Sequence, residues 1–385
     1  MWKFHRSGSG CYFSLSILLS FIVIFFLSAQ ATHHVHHGHI LSHPHYKHQH
    51  STKSSGIASH SHHKPTPKDG AGGKGGGSSH KSPRSPLPNN GLLFDFYSST
   101  CPQAESVVMT VVQGFVSNDI TLAPALLRLH FHDCMTRGCD GSILLSTDGS
   151  KTPPEKAAAV SFGLRGFDVI EAIKAELEKE CPRTVSCADI VALAARDAAT
   201  MIGGPFWPEP LGRRDGFVSR SKDTVSVPNP DDDLGTLVAK FAAAELDVLD
   251  LVALSGVHTV GRAHCVSFAD RLSHKPDPTL NRTVTSFLRR KCDIPRNSRV
   301  LVNNDFVTPF AFDNQYYLNI LSGQVLFSSD EELLSNKATR ALVETFAGNV
   351  FAFTNQFSTS IIKMGNANVL IGSKGNIRKT CSSVL

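Results

Sequence analysis

Two short segments of the sequence contain side chains that could do chemistry together. In the segment RLHFHDC, Arg128 and His132 are four residues apart and share one face of a helix, whereas His130 must point elsewhere. A guanidinium supplies fixed positive charge, and an imidazole can bind or release a proton near neutral pH. A second histidine, His258 in LSGVHTVG, follows an apolar stretch. Taken alone, each of these residues is more often structural than catalytic.

The segments that must position these residues have the apolar periodicity of helices. Leu122, Leu126 and Leu129 recur on one face, and Pro124 fits only if it lies in the first turn. The pattern predicts further helices over 166–180, 186–199, 247–255, 338–346 and 350–364, and the second of these opens with the capping pattern S-x-x-D. Strand-like alternation is scarce. We therefore expect an all-α domain over residues 91–385.

The first 31 residues have the features of a secretory signal peptide. An apolar run at residues 13–27 follows Lys3 and Arg6, and Ala29 and Ala31 have the small-residue spacing of a cleavage site after Ala31. A retained signal anchor is the alternative, but the run is short for a bilayer, which needs about 20 apolar residues. A polytopic membrane protein is excluded because the sequence has no second run of this length. We expect no membrane span after cleavage.

Residues 32–90 form a low-complexity tail rich in His, Gly, Ser, Pro and Lys. The tail holds 13 of the 19 histidines and a formal charge of +6, the leader adds +2, and residues 91–385 carry −3 of the total of +5. Such a composition predicts disorder. The histidines could chelate Cu, Zn or Ni ions, and the charge could attach the chain to acidic cell-wall polysaccharide. A solvated spacer is the other interpretation, and no nucleic-acid partner is expected.

The cysteines favour an oxidising compartment. A cytosolic chain rarely has nine cysteines without a metal site. Cys11 lies in the leader, which leaves eight, and an even number in a secreted chain implies disulfides whose pairing the spacing does not settle. No CxxC pair occurs, and the spacing fits no zinc ribbon or finger.

The motifs of the domain together resemble one known family. They are LLRLHFHDC, GCDGSILL, VSCADIVALAARD, GGPFW, LGRRDG, DLVALSGVHTVG, FDNQYY and SDEELL. In this order and spacing they closely resemble the secreted class III plant haem peroxidases, the horseradish peroxidase family, from about Phe94 to Cys381. The resemblance implies two helical lobes that clasp one haem b, with little β structure. It also implies a monomeric enzyme that reduces hydrogen peroxide and oxidises small phenols, such as those of lignin, suberin and the cell wall, by one-electron steps.

The resemblance assigns roles to residues around the haem. His258 matches the iron ligand, and Asp330 matches the carboxylate that orients it. His132 matches the base that takes a proton from peroxide and returns it to the leaving oxygen. Arg128 matches the cation that stabilises charge on the breaking O–O bond. The distal aromatic position, which is Trp in ascorbate-type relatives, and the aromatic-donor pocket correspond to Phe131 and Pro228.

The resemblance also implies two calcium sites and four disulfides. Calcium prefers six to eight oxygen ligands, and each predicted set of oxygens lies beside a haem-facing histidine. The distal site would use Asp133, Thr136, Gly138, Asp140 and Ser142, with Thr136 and Gly138 acting through their carbonyls. The proximal site would use Thr259, Asp305, Thr308, Asp313 and the carbonyl of Ala311. The implied disulfides are Cys101–Cys181, Cys134–Cys139, Cys187–Cys381 and Cys265–Cys292.

The sequence departs from the family pattern at two positions near the histidines. The family places an Asn between its EK and RGF motifs, where the amide accepts a hydrogen bond from the distal histidine. Here the stretch 155–165 has no Asn and is one residue shorter, and Val160 aligns nearest. We expect slower activation of peroxide, unless Ser161 or a water molecule substitutes for the amide. The second departure is Asn304, at a position that is often apolar or aromatic in the family.

Location and modification complete the predictions. The sequon at Asn281 lies in a predicted loop and is a candidate glycosylation site. Only four residues follow Cys381, so secretion to the cell wall, the apoplast, is simpler than targeting to the vacuole. The alternative function, from another class, is a metal-binding or wall-interaction protein whose peroxidase domain has become a weakly active scaffold. The intact Arg128, His132, His258 and Asp330 argue against it.

Overall fold

The described part of the chain is built almost wholly from helices, as the apolar spacing predicts. The structure is a computed structural model, and it describes residues 91–273, 275, 277–293 and 298–384. The predicted leader and tail, residues 1–31 and 32–90, lie outside the described residues. The α-helices are α1 Ala104–Asn118, α2 Leu122–Thr136, α3 Phe167–Glu180, α4 Cys187–Met201, α5 Leu234–Ala243, α6 Val248–Ser255, α7 Arg282–Lys291, α8 Gln315–Leu321, α9 Ser328–Glu331, α10 Lys337–Gly348 and α11 Val350–Gly365.

Two sets of helices pack around separate centres. In the first set, α4 contacts α1, α2 and α3, and every residue from Cys187 to Ala199 is buried. A helix that is buried on all sides is the centre of a bundle. In the second set, α6 contacts α5, α10 and α11, and α10 also contacts α8. Helix α11 reaches α2 and so joins the two sets, which correspond to the two predicted lobes.

The β structure that the chain forms in its described part is one short hairpin-like sheet. Strands β1 (Arg262–His264) and β2 (Leu301–Asn303) pair antiparallel, with Ala263 opposite Val302. A small apolar cluster of its own holds this region to α7, and it includes Cys265, Leu288 and Cys292. The scarcity of strands agrees with the alternation found in the sequence. None of the described helices is long and apolar enough to cross a membrane.

The helix starts use the capping groups that the sequence predicts. Ser186 Oγ accepts a hydrogen bond from the amide of Asp189 at 3.1 Å, and Asp247 accepts from Asp250 at 3.0 Å in a reciprocal capping box. Pro124 is the third residue of α2, where its missing N–H leaves no helical bond unmade. The predicted helix ends differ from the observed ones by one or two residues because terminal turns depend on local packing.

Four disulfides cross-link the domain. The longest in sequence, Cys187–Cys381, closes 194 residues and ties the C-terminal segment to the start of α4. Such closure stabilises the fold chiefly by restricting the unfolded chain. The other pairs are Cys101–Cys181, Cys134–Cys139 and Cys265–Cys292, so the bonds join the same cysteines that the family resemblance pairs.

One glycine sets how closely α6 approaches its neighbours. Gly256 ends α6 and begins the 3₁₀ turn Gly256–Thr259 that carries His258. A methyl group at Gly256 would overlap the ring of Phe353 and lie 2.5 Å from the hydroxyl of Tyr317. Only hydrogen therefore fits between the turn and these two rings.

We expect Gly256→Ala to lower the melting temperature, because the added methyl would force buried rings apart at a cost of about 1–3 kcal/mol. The control is Gly114→Ala in α1, where no heavy atom lies within 4 Å of the new methyl. The control should gain about 0.5–1 kcal/mol from helix propensity. Thermal unfolding followed by circular dichroism measures both, and equal melting temperatures would contradict the close packing at Gly256.

Candidate active site

Helix α2 carries both residues of the predicted distal pair. His132 is buried, and Arg128 lies one turn before it on the same face. The Arg128 guanidinium donates to the carbonyls of Val160 and Phe162, at 3.0 and 3.2 Å. These carbonyls flank the 3₁₀ turn Ala159–Ser161, so this turn, and no carboxylate among the described residues, fixes the guanidinium.

The electrostatics of the distal pair suit proton transfer. Burial lowers the pKa of Arg128 to about 10, although its side chain is exposed. Both observations hold if the guanidinium faces a recess inside the protein instead of the outer surface. Burial, and then the charge of Arg128, lower the pKa of His132 well below its usual value. His132 is therefore neutral at physiological pH and can accept a proton beside a fixed positive charge.

His130 takes no part in this recess. It is fully buried beside Cys134, and its Nδ1 lies 3.6 Å from that Sγ. Burial, and then the charge of Arg213, lower the pKa of His130 to about 3. The imidazole is therefore a neutral core group, in agreement with its position two residues from His132 in the sequence.

His258 lies in the turn that follows α6, and a carboxylate orients it. The Nδ1–H of His258 donates to Asp330 Oδ1 at 2.8 Å, and Asp330 is buried in α9. The hydroxyl of Tyr316 donates to the same oxygen at 2.7 Å. Because Nδ1 carries the proton, Nε2 is a free lone-pair donor, and the side chain is 33% exposed. A carboxylate-backed imidazole with one open nitrogen is the usual form of a metal-ligating histidine.

These groups fit a haem. The family ligates haem iron through one imidazole, and His258 offers one nitrogen with its tautomer fixed from behind. The rings of Tyr316 and Phe327 pack edge-on against the His258 ring, at 5.9 and 5.1 Å between centroids, and leave a planar group only the remaining side. On α2, the ring of Phe131 stands edge-on to His132, at 6.1 Å between ring centroids.

The distal histidine lacks the acceptor that the family pattern supplies. His132 Nδ1 is buried and has no hydrogen-bond partner among the described residues. Ser161 Oγ is also buried without a described partner, so it does not replace the missing amide. Val160 packs against the apolar core. A buried ring N–H without an acceptor is weakly oriented and costs about 1–3 kcal/mol.

The second departure, Asn304, holds the chain beside the proximal histidine. Its Nδ2 donates to the carbonyl of Val260 at 3.1 Å, and its own amide N–H donates to Gly261 at 3.0 Å. The Asn304 Oδ1 is buried without a partner among the described residues. The side chain therefore fixes the backbone that follows His258 and leaves one acceptor unsatisfied.

Buried oxygens cluster behind His132, where the distal calcium site is predicted. Asp133 and Asp140 accept backbone hydrogen bonds from Gly141 and Ser142, at 2.9 and 3.0 Å. The Ser142 hydroxyl donates to Glu155 at 3.2 Å. Burial, and then Asp140, raise the pKa of Asp133 to about 8. Unpaired carboxylates that repel each other in a buried site are what a bound cation would stabilise.

Glu155 is a part of this cluster that the sequence reasoning missed. It is fully buried, its Oε1 has no partner among the described residues, and burial, then Asp133 and Asp140, raise its pKa to about 9. In the sequence it only marks the start of the stretch that lacks Asn. A three-residue 3₁₀ turn, Glu155–Ala157, carries it, and such a turn has no periodicity that could reveal burial.

The proximal oxygens form two hydrogen-bonded pairs. The Thr259 hydroxyl donates to Asp313 at 2.8 Å, and the Thr308 hydroxyl donates to Asp305 at 3.3 Å. Asp305 is fully buried. Within the described residues, no group of three or more His, Cys, Asp or Glu side chains could by itself hold a metal ion. Any calcium site here therefore needs carbonyl and hydroxyl oxygens, as the predicted ligand sets do.

The remaining predicted residues lie at the edges of these elements. Pro228 is half-buried and follows the 3₁₀ segment Ser221–Ser226, which packs on α2. Thr136 and Gly138 lie at the end of α2 and just after it. The prediction of a loop at Asn281 is wrong. Asn281 is the N-cap of α7, and its side-chain oxygen accepts from the amide of Thr283 at 2.9 Å, because an Asn before a helical run satisfies a free backbone donor.

Comparison with known proteins decides the family. A family model described as Peroxidase matches residues 108–349. The chain belongs to the peroxidase family. This peroxidase is 48% identical over 306 residues to the cationic peroxidase SPC4 of Sorghum bicolor, an alignment that covers 78% of this chain and 84% of the relative. It is 44% identical to Peroxidase 72 of Arabidopsis thaliana, with 77% and 90% covered. It is 46% identical to Peroxidase 1 of Oryza sativa subsp. japonica, with 75% and 91% covered.

The predicted fold class and activity are confirmed by these matches. The protein is a predominantly helical peroxidase of the plant class III type, a haem-iron enzyme that uses hydrogen peroxide. The match begins within α1 and ends at the start of α11, so it includes every residue from Arg128 to Asp330 discussed above.

We expect Asp330→Asn to lower the kcat/KM for hydrogen peroxide by about 10- to 100-fold, because an amide no longer draws the Nδ1 proton of His258. The control is Tyr316→Phe, which removes the second donor to the same Asp330 oxygen and keeps the carboxylate. Steady-state kinetics at matched haem content measure both variants. An equal loss in the two variants would contradict the role of the carboxylate.

We expect Val160→Asn to speed the reaction with peroxide by about tenfold, because an amide oxygen near His132 would accept its buried N–H and orient the ring. Val160→Leu is the apolar control and should leave the rate unchanged. Stopped-flow mixing of the enzyme with peroxide gives the rate constant. A wild-type rate near the diffusion limit would sink the idea that the missing acceptor slows this enzyme.

Proposed function

We propose that the physiological donors of this peroxidase are small phenols, which it oxidises one electron at a time. The observation that carries the proposal is the pair of oriented histidines, one carboxylate-backed and one neutral beside a guanidinium. Neutral aromatic donors need no charged recognition groups and can reach the recess beside the half-buried Pro228.

The side chains of the site have separate tasks in this reaction. His258 would hold the haem iron through Nε2, while Asp330 holds the proton on Nδ1. When bound, haem supplies the iron that takes up peroxide and the electrons that cleave the O–O bond. His132, held neutral by burial, accepts a proton from peroxide and returns it to the leaving oxygen. Arg128, fixed by two backbone carbonyls, stabilises the negative charge that develops on that oxygen.

The decisive experiment measures haem absorbance and guaiacol oxidation with peroxide on the same purified protein. We expect turnover in the wild type and a loss of about 10²- to 10⁴-fold in His132→Leu, since only the proton-transfer group is removed. Equal haem content is the control for folding. Bound haem without turnover in the wild type would instead support the inactive scaffold whose possible signs are the unpartnered His132 and the tail.

Two calcium ions are part of the same proposal. The distal ion would bind the oxygens of Asp133, Thr136, Gly138, Asp140 and Ser142, and Glu155 would add negative charge behind them. The proximal ion would bind Thr259, Asp305, Thr308, Asp313 and the Ala311 carbonyl. The support is buried oxygen clusters with raised carboxyl pKa values on the distal side, and oxygen-only donors suit calcium.

Chelation should lower the melting temperature, because an ion that binds only the folded state stabilises it by about 2.7 kcal/mol at a hundredfold excess over Kd. The test is thermal unfolding after dialysis against a chelator, followed by addition of Ca²⁺ or Mg²⁺. Ca²⁺ should restore the melting temperature and Mg²⁺ should not. The Asp305→Asn variant should respond less to Ca²⁺, and no response to the chelator would contradict both sites.

Secretion to the apoplast and a monomeric state complete the proposal. The leader and the eight remaining cysteines, all of which are disulfide-bonded, support an extracellular location. The sequon at Asn281 would then be open to glycosylation. For the tail, residues 32–90, we retain attachment to acidic wall polysaccharide or chelation of a transition metal, against a solvated spacer.

A further inference from the structure

The negative domain contains one strongly positive segment. Residues 91–385 carry a formal charge of −3, but within them the segment from β1 to β2, residues 262–303, has nine Lys and Arg against three Asp and Glu. This segment therefore carries +6, and the rest of the domain carries −9. Charge of opposite sign has been separated along the fold, and not only between the tail and the domain.

Helix α7 presents most of this charge to solvent. Arg282, Arg290 and Lys291 are exposed and form no ion pair with a described carboxylate, and Phe287 is 39% exposed between them. The Lys291 ammonium lies 5.7 Å from the centroid of the Phe287 ring. We call these four residues the α7 basic surface. They occupy one half of the helix, because Thr285 and Leu288 face the protein on the other half.

The surface is held rigid. Leu288 packs into the small core of the β1–β2 region, and the disulfide Cys265–Cys292 anchors the residue that follows Lys291. The Phe287 ring also packs edge-on against Phe306, at 6.0 Å between centroids. A partner therefore meets cations whose backbone is already ordered, which reduces the entropy cost of binding.

Helix stability does not account for the whole surface. Cations in the last turn, such as Arg290 and Lys291, favour the negative end of the helix dipole. Arg282 is the first residue of α7, where a positive charge is unfavourable. A cation of the same segment that serves the fold looks different, since Arg271 is buried and pairs with Asp277 at 2.7 Å.

We propose that the α7 basic surface binds an acidic polysaccharide through its uronate carboxylates. Guanidinium groups pair with carboxylates in two-point geometry, and the open face of Phe287 can pack on a sugar ring. The ten-residue helix is about 15 Å long, so a linear polyanion can lie along it and meet several cations at once. The choice of a polysaccharide over other polyanions rests on the proposed secretion, and the surface is separate from both the tail and the haem-facing residues.

The test is retention of the full-length holoenzyme on immobilised polygalacturonate, with elution by NaCl. The triple variant Arg282→Ser, Arg290→Ser, Lys291→Ser should bind about tenfold more weakly at 100 mM salt. The matched control, Lys222→Ser, Lys337→Ser, Lys374→Ser, removes the same charge from exposed lysines elsewhere and should bind like the wild type. An equal loss in both triples would overturn the proposal, because net charge alone would explain retention.

Two further arms separate the competing explanations. Each variant is repeated without residues 32–90, and retention that depends on the tail but not on the α7 triple would overturn the proposal in favour of tail attachment. Tighter binding to DNA–cellulose than to polygalacturonate, or unchanged binding to fully methyl-esterified pectin, would also overturn it. Guaiacol turnover is measured on the same fractions and should be unchanged in the α7 triple. Failure of the proposed peroxidase function is therefore visible separately from failure of polysaccharide binding.

Discussion

The hydrogen bond between His258 and Asp330 is the interaction on which the rest of the site depends. It joins residues 72 positions apart, so it exists only if α6 and α9 are held in register. Several local contacts provide that register. The carbonyl of Pro230 accepts from the amide of Ser329 at the start of α9, and the Tyr316 hydroxyl fixes the carboxylate from α8. The glycine at 256 lets the turn approach the rings behind it.

On the opposite side of the recess the fold uses burial in place of pairing. Arg128 is fixed by backbone carbonyls and His132 by no described partner, so neither distal group is neutralised by a carboxylate. The guanidinium therefore keeps its field for a substrate oxygen, and the imidazole stays neutral. The same burial acts behind the helix, where the carboxyls of Asp133 and Glu155 have raised pKa values. A peroxidase built this way depends on a cation at the second position for the stability of the first.

Charge in this molecule is organised at two levels. The total of +5 suggests a basic enzyme, but it is the sum of a positive leader and tail and a negative domain. Within the domain, the β1–β2 region again reverses the sign. Two separate positive regions on a negative protein allow contact with a polyanion without a positive field over the haem recess. Neutral donors are then free to reach the recess while the molecule is attached elsewhere.

The sequence by itself determined whatever depends on near neighbours along the chain. It predicted the helices, the caps at Ser186 and Asp247, the shared face of Arg128 and His132, and, through the family resemblance, the pairing of the cysteines. These follow because helix geometry repeats every few residues and because motifs keep their order. Only the tertiary structure decided that Glu155 joins the buried oxygens, that Ser161 leaves His132 without an acceptor, and that Asn281 caps a helix. Those outcomes depend on burial and on contacts between distant segments, for which spacing along one chain carries no information.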